Sequence, residues 1–289
     1  MEPTKQMKSE QQKISELRTN ELSEPLSEEE AKRQIQHLSR RSFLRGGLVI
    51  GAGFLGWKWL NRQYTDDGTN WVFRRALQVN EGIVQGTFYS ANHLSPTFPR
   101  AQAKDPRENG DFGLEEELDA DAWRLHLYGL AEGGETTEEG MAMMPPPDAS
   151  LTLEDIKKLP AVEMTTQLCC IEGWVEVVNW KGAKLSDFIE KYPPVKDENK
   201  LIPAYVGIET PDGAYYVGLD RESALHPQTL LCYEMNGKPL TPEHGAPLRL
   251  VIPVKYGIKN IKRIGVIRFT SERPKDYWAQ QGYDWYAGL

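Results

Sequence analysis

Apolar and polar positions alternate from Trp123 to Leu130, which predicts a half-buried strand and makes His126 a strand residue rather than a ligand. Short β-prone runs separated by Gly and Pro turns follow at Tyr205–Glu209, Ala214–Leu219, Leu248–Pro253 and Ile261–Phe269, and Val162 to Leu168 extends toward an adjacent pair of cysteines. Helical patterning is equally brief. Trp71 to Gly86 reads as a short helix. Leu153 to Lys158 is capped by Thr152 and Asp155 and stopped by Pro160, and Leu185 to Lys191 ends before Pro193-Pro194. Short strands and short helices without regular alternation, and without an internal repeat, predict an α+β fold with mixed sheets. Residues 131–150 carry Gly133-Gly134, a run of acids and Pro145-Pro146-Pro147, which read as a surface insertion placed to act as a lid or docking loop.

The N-terminal part has a different texture. Residues 1–38 are polar and of mixed charge, with a capping-box start at Ser27-Glu28-Glu29-Glu30, and read as a solvated extension. Ser39-Arg40-Arg41-Ser42-Phe43-Leu44-Arg45 then precedes the uncharged, Gly-rich stretch from Gly46 to Trp57, and together they resemble a twin-arginine export signal. This predicts a periplasmic location. About 12 uncharged residues are fewer than the roughly 20 that span a bilayer as a helix. No small-x-small cleavage site follows, so residues 39–60 are expected to serve as a removable signal or as an inner-membrane tether through 46–60, ahead of a linker over 61–79. A rival reading takes Gly51 to Gly56, after Leu48-Val49-Ile50, as the glycine fingerprint of a dinucleotide-binding turn. That reading requires a following amphipathic helix and repeated strand–helix units, whereas residues 62–68 read as a turn.

Composition narrows the partners. A net charge of −8 and a pI near 5.3 leave no clustered basic face for phosphate neutralisation, so nucleic acid is not an expected partner. The 39% of hydrophobic residues is ordinary for a packed core. Three cysteines, two of them adjacent, do not make a disulfide framework.

The candidate chemistry begins at Gln167-Leu168-Cys169-Cys170-Ile171-Glu172-Gly173-Trp174, followed by Trp180-Lys181-Gly182. A thiolate is a soft donor that suits a redox metal, although a lone Cys also serves as a small buried hydrophobe. Further on come Glu209-Thr210, Asn236-Gly237-Lys238-Pro239-Leu240, His244-Gly245-Ala246-Pro247-Leu248-Arg249 and Lys255-Tyr256-Gly257-Ile258-Lys259-Asn260-Ile261-Lys262. In this order and spacing the motifs resemble the molybdopterin domain of the sulfite oxidase family, in its bacterial periplasmic branch, from about residue 80 to 289.

The resemblance implies a molybdenum–molybdopterin cofactor with Cys170 as its metal ligand, since Cys170-Ile171-Glu172-Gly173-Trp174 matches the family's Cys-x-Glu-x-Trp pattern. It leaves Cys169 a supporting residue and Cys232 a core thiol. By the same carry-over Asn92 and His93 form the first pterin loop, and Thr210, His244, Arg249 and the turn Gly257, Ile258, Lys259 bind the pterin, with Arg249 and Lys259 supplying positive charge. The segment after the ligand Cys is apolar and acidic here, where sulfite oxidases carry arginine, so an anionic substrate would be repelled beside Glu172. A neutral substrate such as a sulfoxide, small or protein-borne, is expected. The resemblance further implies an oxygen-atom-transferring oxidoreductase without the family's C-terminal immunoglobulin-like domain, acting as a monomer and fed by a separate membrane cytochrome or quinol-linked partner. The alternatives are a non-catalytic exported binding module of the same fold, or the dinucleotide-dependent oxidoreductase built on Gly51 to Gly56.

Overall fold

The computed structural model describes Glu29 and residues 48–59, 62, 65–66, 68–87, 93–115, 118–131 and 148–289. The chain divides into two units, Met1–Gln63 and Tyr64–Leu289. In the first, residues 48–59 are helical and Leu48, Ile50, Leu55 and Trp59 stand exposed. Gly51, Gly53 and Gly56 therefore lie inside a helix rather than in a strand-to-helix turn, which removes the geometric basis of the dinucleotide reading. No helix among the described residues is long and apolar enough to cross a membrane. The paired-arginine motif and Asn92 lie outside the described residues, as does most of the expected insertion.

The second unit opens with a two-residue hairpin, β1 (Thr65–Asp66) and β2 (Thr69–Asn70), and helix α1 (Trp71–Thr87). This helix is the one expected over Trp71 to Gly86, and its first half takes in residues 71–79 of the expected linker. Polar contacts from two of its side chains, Arg74 and Glu81, fasten it to the C-terminal segment. Arg74 donates to the carbonyl of Ala279 at 2.6 Å and to Thr69 Oγ1 at 3.0 Å, and Arg273 pairs with Glu81 at 2.5 Å.

Two five-stranded sheets make the body, one mixed and one wholly antiparallel. One contains β3 (Leu125–Tyr128), β4 (Ala149–Leu151), β7 (Tyr205–Glu209), β8 (Tyr216–Asp220) and β12 (Val266–Thr270), in the order β4-β3-β12-β7-β8, with β12 parallel to β3 and antiparallel to β7. The other contains β5 (Ala161–Cys169), β6 (Val175–Lys184), β9 (Leu230–Met235), β10 (Lys238–Pro239) and β11 (Arg249–Val251), in the order β10-β9-β6-β5 with β11 also on β9. The expected helices are present as α2 (Leu153–Lys157) and α3 (Leu185–Lys191). α2 starts in a capping box, Asp155 N donating to Thr152 Oγ1 and Thr152 N to Asp155 Oδ2.

Strands β6 and β9 are covered on both faces, which explains why they lack the alternation of half-buried strands. Leu185, Phe188, Leu231, Leu250 and Ile252 belong to the larger core, whereas Val178, Trp180, Leu230, Cys232 and Val251 form a second cluster. The β6–β9 register slips between Lys181 and Gly182. A side chain at Gly182 would put its Cβ 2.7 Å from Cys232 Cα, so only glycine admits this close crossing.

Candidate active site

The long β5–β6 hairpin ends in a tight turn. Cys170 N donates to the Trp174 carbonyl at 2.9 Å, Gly173 N donates to the Cys170 carbonyl at 3.1 Å, and Gly173 takes φ +89°, a conformation that favours glycine. Cys170 thus sits on a rigid tip at the edge of a cavity of about 410 Å³. Burial raises its thiol pKa first, and Glu172 nearby adds to the rise. A bound cation would be needed to hold it as thiolate near neutral pH.

The 3₁₀ turn Gly257–Lys259 closes the opposite side. A Cβ on Gly257 would approach Cys169 O at 3.4 Å and Cys170 Cα at 3.7 Å, so this turn lies directly against the cysteine turn. Ile258 is held by its carbonyl, which accepts from Tyr215 Oη at 2.6 Å. Arg249, from β11, lines the cavity with its guanidinium 4.8 Å from the Trp180 ring centroid. It donates to the carbonyls of His244 and Asn260 at 3.0 and 3.2 Å, its Nε is buried without an acceptor, and burial pulls its pKa down to about 10. Among the described residues no carboxylate pairs with it. A buried cation with an idle donor at a cavity wall is a place for an anion such as a phosphate.

The remaining expected residues fall differently. His244 is buried behind Arg249 and presents only its backbone carbonyl to it; burial, then Arg249, lower its imidazole pKa. Thr210 is buried too, accepting from Tyr215 N at 3.1 Å and abutting Gly113, where an added Cβ would meet Thr210 Oγ1 at 2.7 Å. Lys259 contributes its backbone to the turn but not its charge: its ammonium is 2.6 Å from Asp276 and 2.8 Å from the Gly218 carbonyl, fully enclosed, and 4.5 Å from the Trp285 ring. Lys262, three positions on, does line the cavity, and its ammonium is engaged by the carbonyls of Asn109 and Gly110. His93 is not among the lining residues; its carbonyl accepts from His226 Nε2 at 3.1 Å.

The loop that does enter the cavity is Asn109-Gly110-Asp111-Phe112, which sequence reasoning passed over. Its visible signal is an Asn-Gly turn dipeptide ahead of Phe112-Gly113. Asn109 Nδ2 lies 3.7 Å from Cys170 Sγ. Phe112 packs at 4.9 Å from Tyr277 and 6.4 Å from Trp278, and Trp278 at 5.2 Å from Tyr283, so an aromatic wall faces the cysteine turn. On the other rim Glu172 accepts from Trp174 Nε1 at 3.0 Å and pairs with no cation among the described residues.

A soft thiol on a rigid tip, a turn without side-chain bulk beside it, and a buried unpaired arginine make a donor set that fits a metal–pterin group. The comparisons agree. Residues 113–278, more than half of the chain, match the oxidoreductase molybdopterin binding domain, and the chain belongs to this family of molybdopterin-dependent oxidoreductases. Its cofactor is molybdenum–molybdopterin and its fold is α+β. A relative from Azospira oryzae, provisionally named protein-methionine-sulfoxide reductase subunit YedZ1, is 30% identical over 86% of this chain and 88% of its own. The protein-methionine-sulfoxide reductase catalytic subunit MsrP of Campylobacter jejuni is 38% identical over 48% of this chain, and the match spans about half, 52%, of that relative. Among solved structures, the sulfane dehydrogenase SoxCD from Paracoccus pantotrophus aligns with a TM-score of 0.46 at 21% identity, covering 63% of this chain and 46% of that one.

Proposed function

We propose that the chain is the catalytic subunit of an exported enzyme that reduces a sulfoxide to the thioether, with two electrons and two protons releasing the oxygen as water. When bound, the molybdenum–pterin group supplies the two-electron oxygen-atom exchange. The chain's residues do the rest. Cys170 would ligate the metal, Arg249 would offer its idle Nε to the pterin phosphate, and the Gly257–Ile258 backbone would leave room for the ring. Phe112, Trp278 and Tyr283 keep water from the entrance and offer apolar contact to an alkyl or aryl sulfide. The observation that carries the substrate choice is the rim: Glu172 and Asp111 line the entrance, and Glu172 keeps its uncompensated charge, which disfavours sulfite and tolerates a neutral sulfoxide. The names of the relatives point the same way.

Export by the paired-arginine motif, a periplasmic site of action with residues 46–60 as signal or tether, and a membrane-bound cytochrome or quinol-linked electron donor complete the reading. Its support is Arg40-Arg41 ahead of the apolar 48–59 helix. The test is molybdenum content and sulfoxide reduction by a reduced dye, in protein made by a cofactor-competent host. Near-stoichiometric metal and turnover of methionine sulfoxide are expected in the parent and in Cys169→Ser, with both lost in Cys170→Ser. Turnover of sulfite in place of sulfoxide would refute the substrate assignment.

A further inference from the structure

Lys262 does something that pterin binding does not require. Its ammonium is 2.6 Å from the carbonyl of Asn109 and 3.1 Å from that of Gly110, on the one loop that reaches over the cysteine turn. Gly110 has φ +68°, which lets two successive carbonyls face one donor where an extended chain would turn them apart. The lysine's own backbone is fixed: a Cβ on Gly245 would sit 2.7 Å from Lys262 Cβ, and Arg263 N donates to the Gly245 carbonyl at 3.3 Å. The loop needs such an anchor because residues 103–110 form no regular element beyond their edge contacts. Those contacts are upstream: Arg107 N donates to Glu176 Oε2 at 2.7 Å, and Asn236 Nδ2 donates to the Lys104 carbonyl at 3.0 Å. Downstream, Gly113 meets Thr210. Between these fixed points, among the described residues, Lys262 is the side chain that grips the backbone of Asn109, and Asn109 is the residue whose amide reaches Cys170 Sγ.

We infer that Lys262 is a positioning residue: it clasps the Asn109–Gly110 backbone and thereby holds the Asn109 amide on the Cys170 sulfur. This rests on Cys170 being the metal ligand. An amide N–H on a ligating sulfur draws charge from it and favours the reduced metal, so the clasp sets the electronic environment of the site through a residue that touches neither metal nor substrate.

The test compares Lys262→Met, Asn109→Ala and the double variant as molybdenum-loaded full-length protein, reading the molybdenum midpoint potential and the electron paramagnetic resonance of its one-electron-oxidised state. Both single variants are expected to lower the potential and to shift the spectrum the same way, the double variant to match either single one, and Lys262→Arg to recover part of the parental signal. An unchanged spectrum and potential in Lys262→Met, or additive shifts in the double variant, would overturn the inference. If Lys262→Met does not retain the cofactor, the decision passes to iodoacetamide alkylation of Cys170 in cofactor-free full-length chains carrying Cys169→Ser, where Cys232 is fully buried and silent. The clasp requires several-fold faster alkylation in Lys262→Met and Asn109→Ala alike, and rates equal to the parent overturn it. Cys170→Ser run alongside separates the two levels: if it keeps the metal and its spectrum, the ligand assignment has failed rather than the clasp.

Discussion

Replacing Lys259 by Met separates a phosphate-binding lysine from a structural one. Its ammonium and the Asp276 carboxylate are 1% and 2% exposed and 2.6 Å apart. Asp276 also accepts from Gly218 N at 3.2 Å and Ala279 N at 3.0 Å, so Lys259→Met leaves a carboxylate buried with two backbone donors and no countercharge. Removing one member of such a pair costs about 3–5 kcal/mol. For a unit of this size that is a fall in Tm of about 6–20 °C, at about 2–4 °C per kcal/mol. The assay is thermal unfolding by circular dichroism of cofactor-free protein, with molybdenum content measured on the loaded form. The double change Lys259→Met with Asp276→Asn removes both charges while leaving an amide oxygen to accept from one backbone donor, and is expected to recover part of the loss. If Lys259→Met melts with the parent but is purified without molybdenum, the lysine serves the ligand and the structural account is refuted.

Arg249→Met is the converse case: the buried guanidinium lacks a carboxylate partner, so its loss is expected to change the cofactor-free Tm by no more than about 4 °C, roughly 1 kcal/mol, while molybdenum content falls sharply. Thr152→Ala breaks the α2 capping box and should cost about 1 kcal/mol in urea unfolding with activity unchanged. Burial pushes the Lys255 ammonium down to about 7, with Asp220 opposing, which means that the unfolded chain binds the extra proton between about pH 7 and its ordinary value near 10.5. Stability therefore rises with pH across that window. Lys255→Met is expected to gain Tm over the parent at pH 6, by a margin that shrinks toward pH 10; a margin that does not change with pH would sink the assignment.

What the sequence revealed follows from how each signal is encoded. The α2 cap, α3 and β7 depend on neighbouring residues and were readable to within a residue or two. β6 and β9 were not, because strands buried on both faces show no alternation and Gly182 and Asn179 look like breakers. Cys170, Arg249, Gly257 and Ile258, which the motifs picked out, all line the same cavity. Lys259 could not be assigned from sequence, since its partner Asp276 stands 17 positions away on a segment without a motif of its own. The same holds for Trp278 and Tyr283, which are ordinary aromatics until the C-terminal segment folds back. Asn109 and Lys262 are distant in the chain, and their contact exists only in three dimensions.

The fastening of α1 to the C-terminal segment has a consequence for the order of manufacture. Arg74 and Glu81 are made well before Ala279 and Arg273, which receive them from 205 and 192 positions further along the chain. The cavity wall at Trp278 and Tyr283 belongs to the same segment as Arg273 and Ala279. Completion of the wall and locking of α1 are thus one event, and a chain interrupted before residue 273 can neither seal the pocket nor fasten α1.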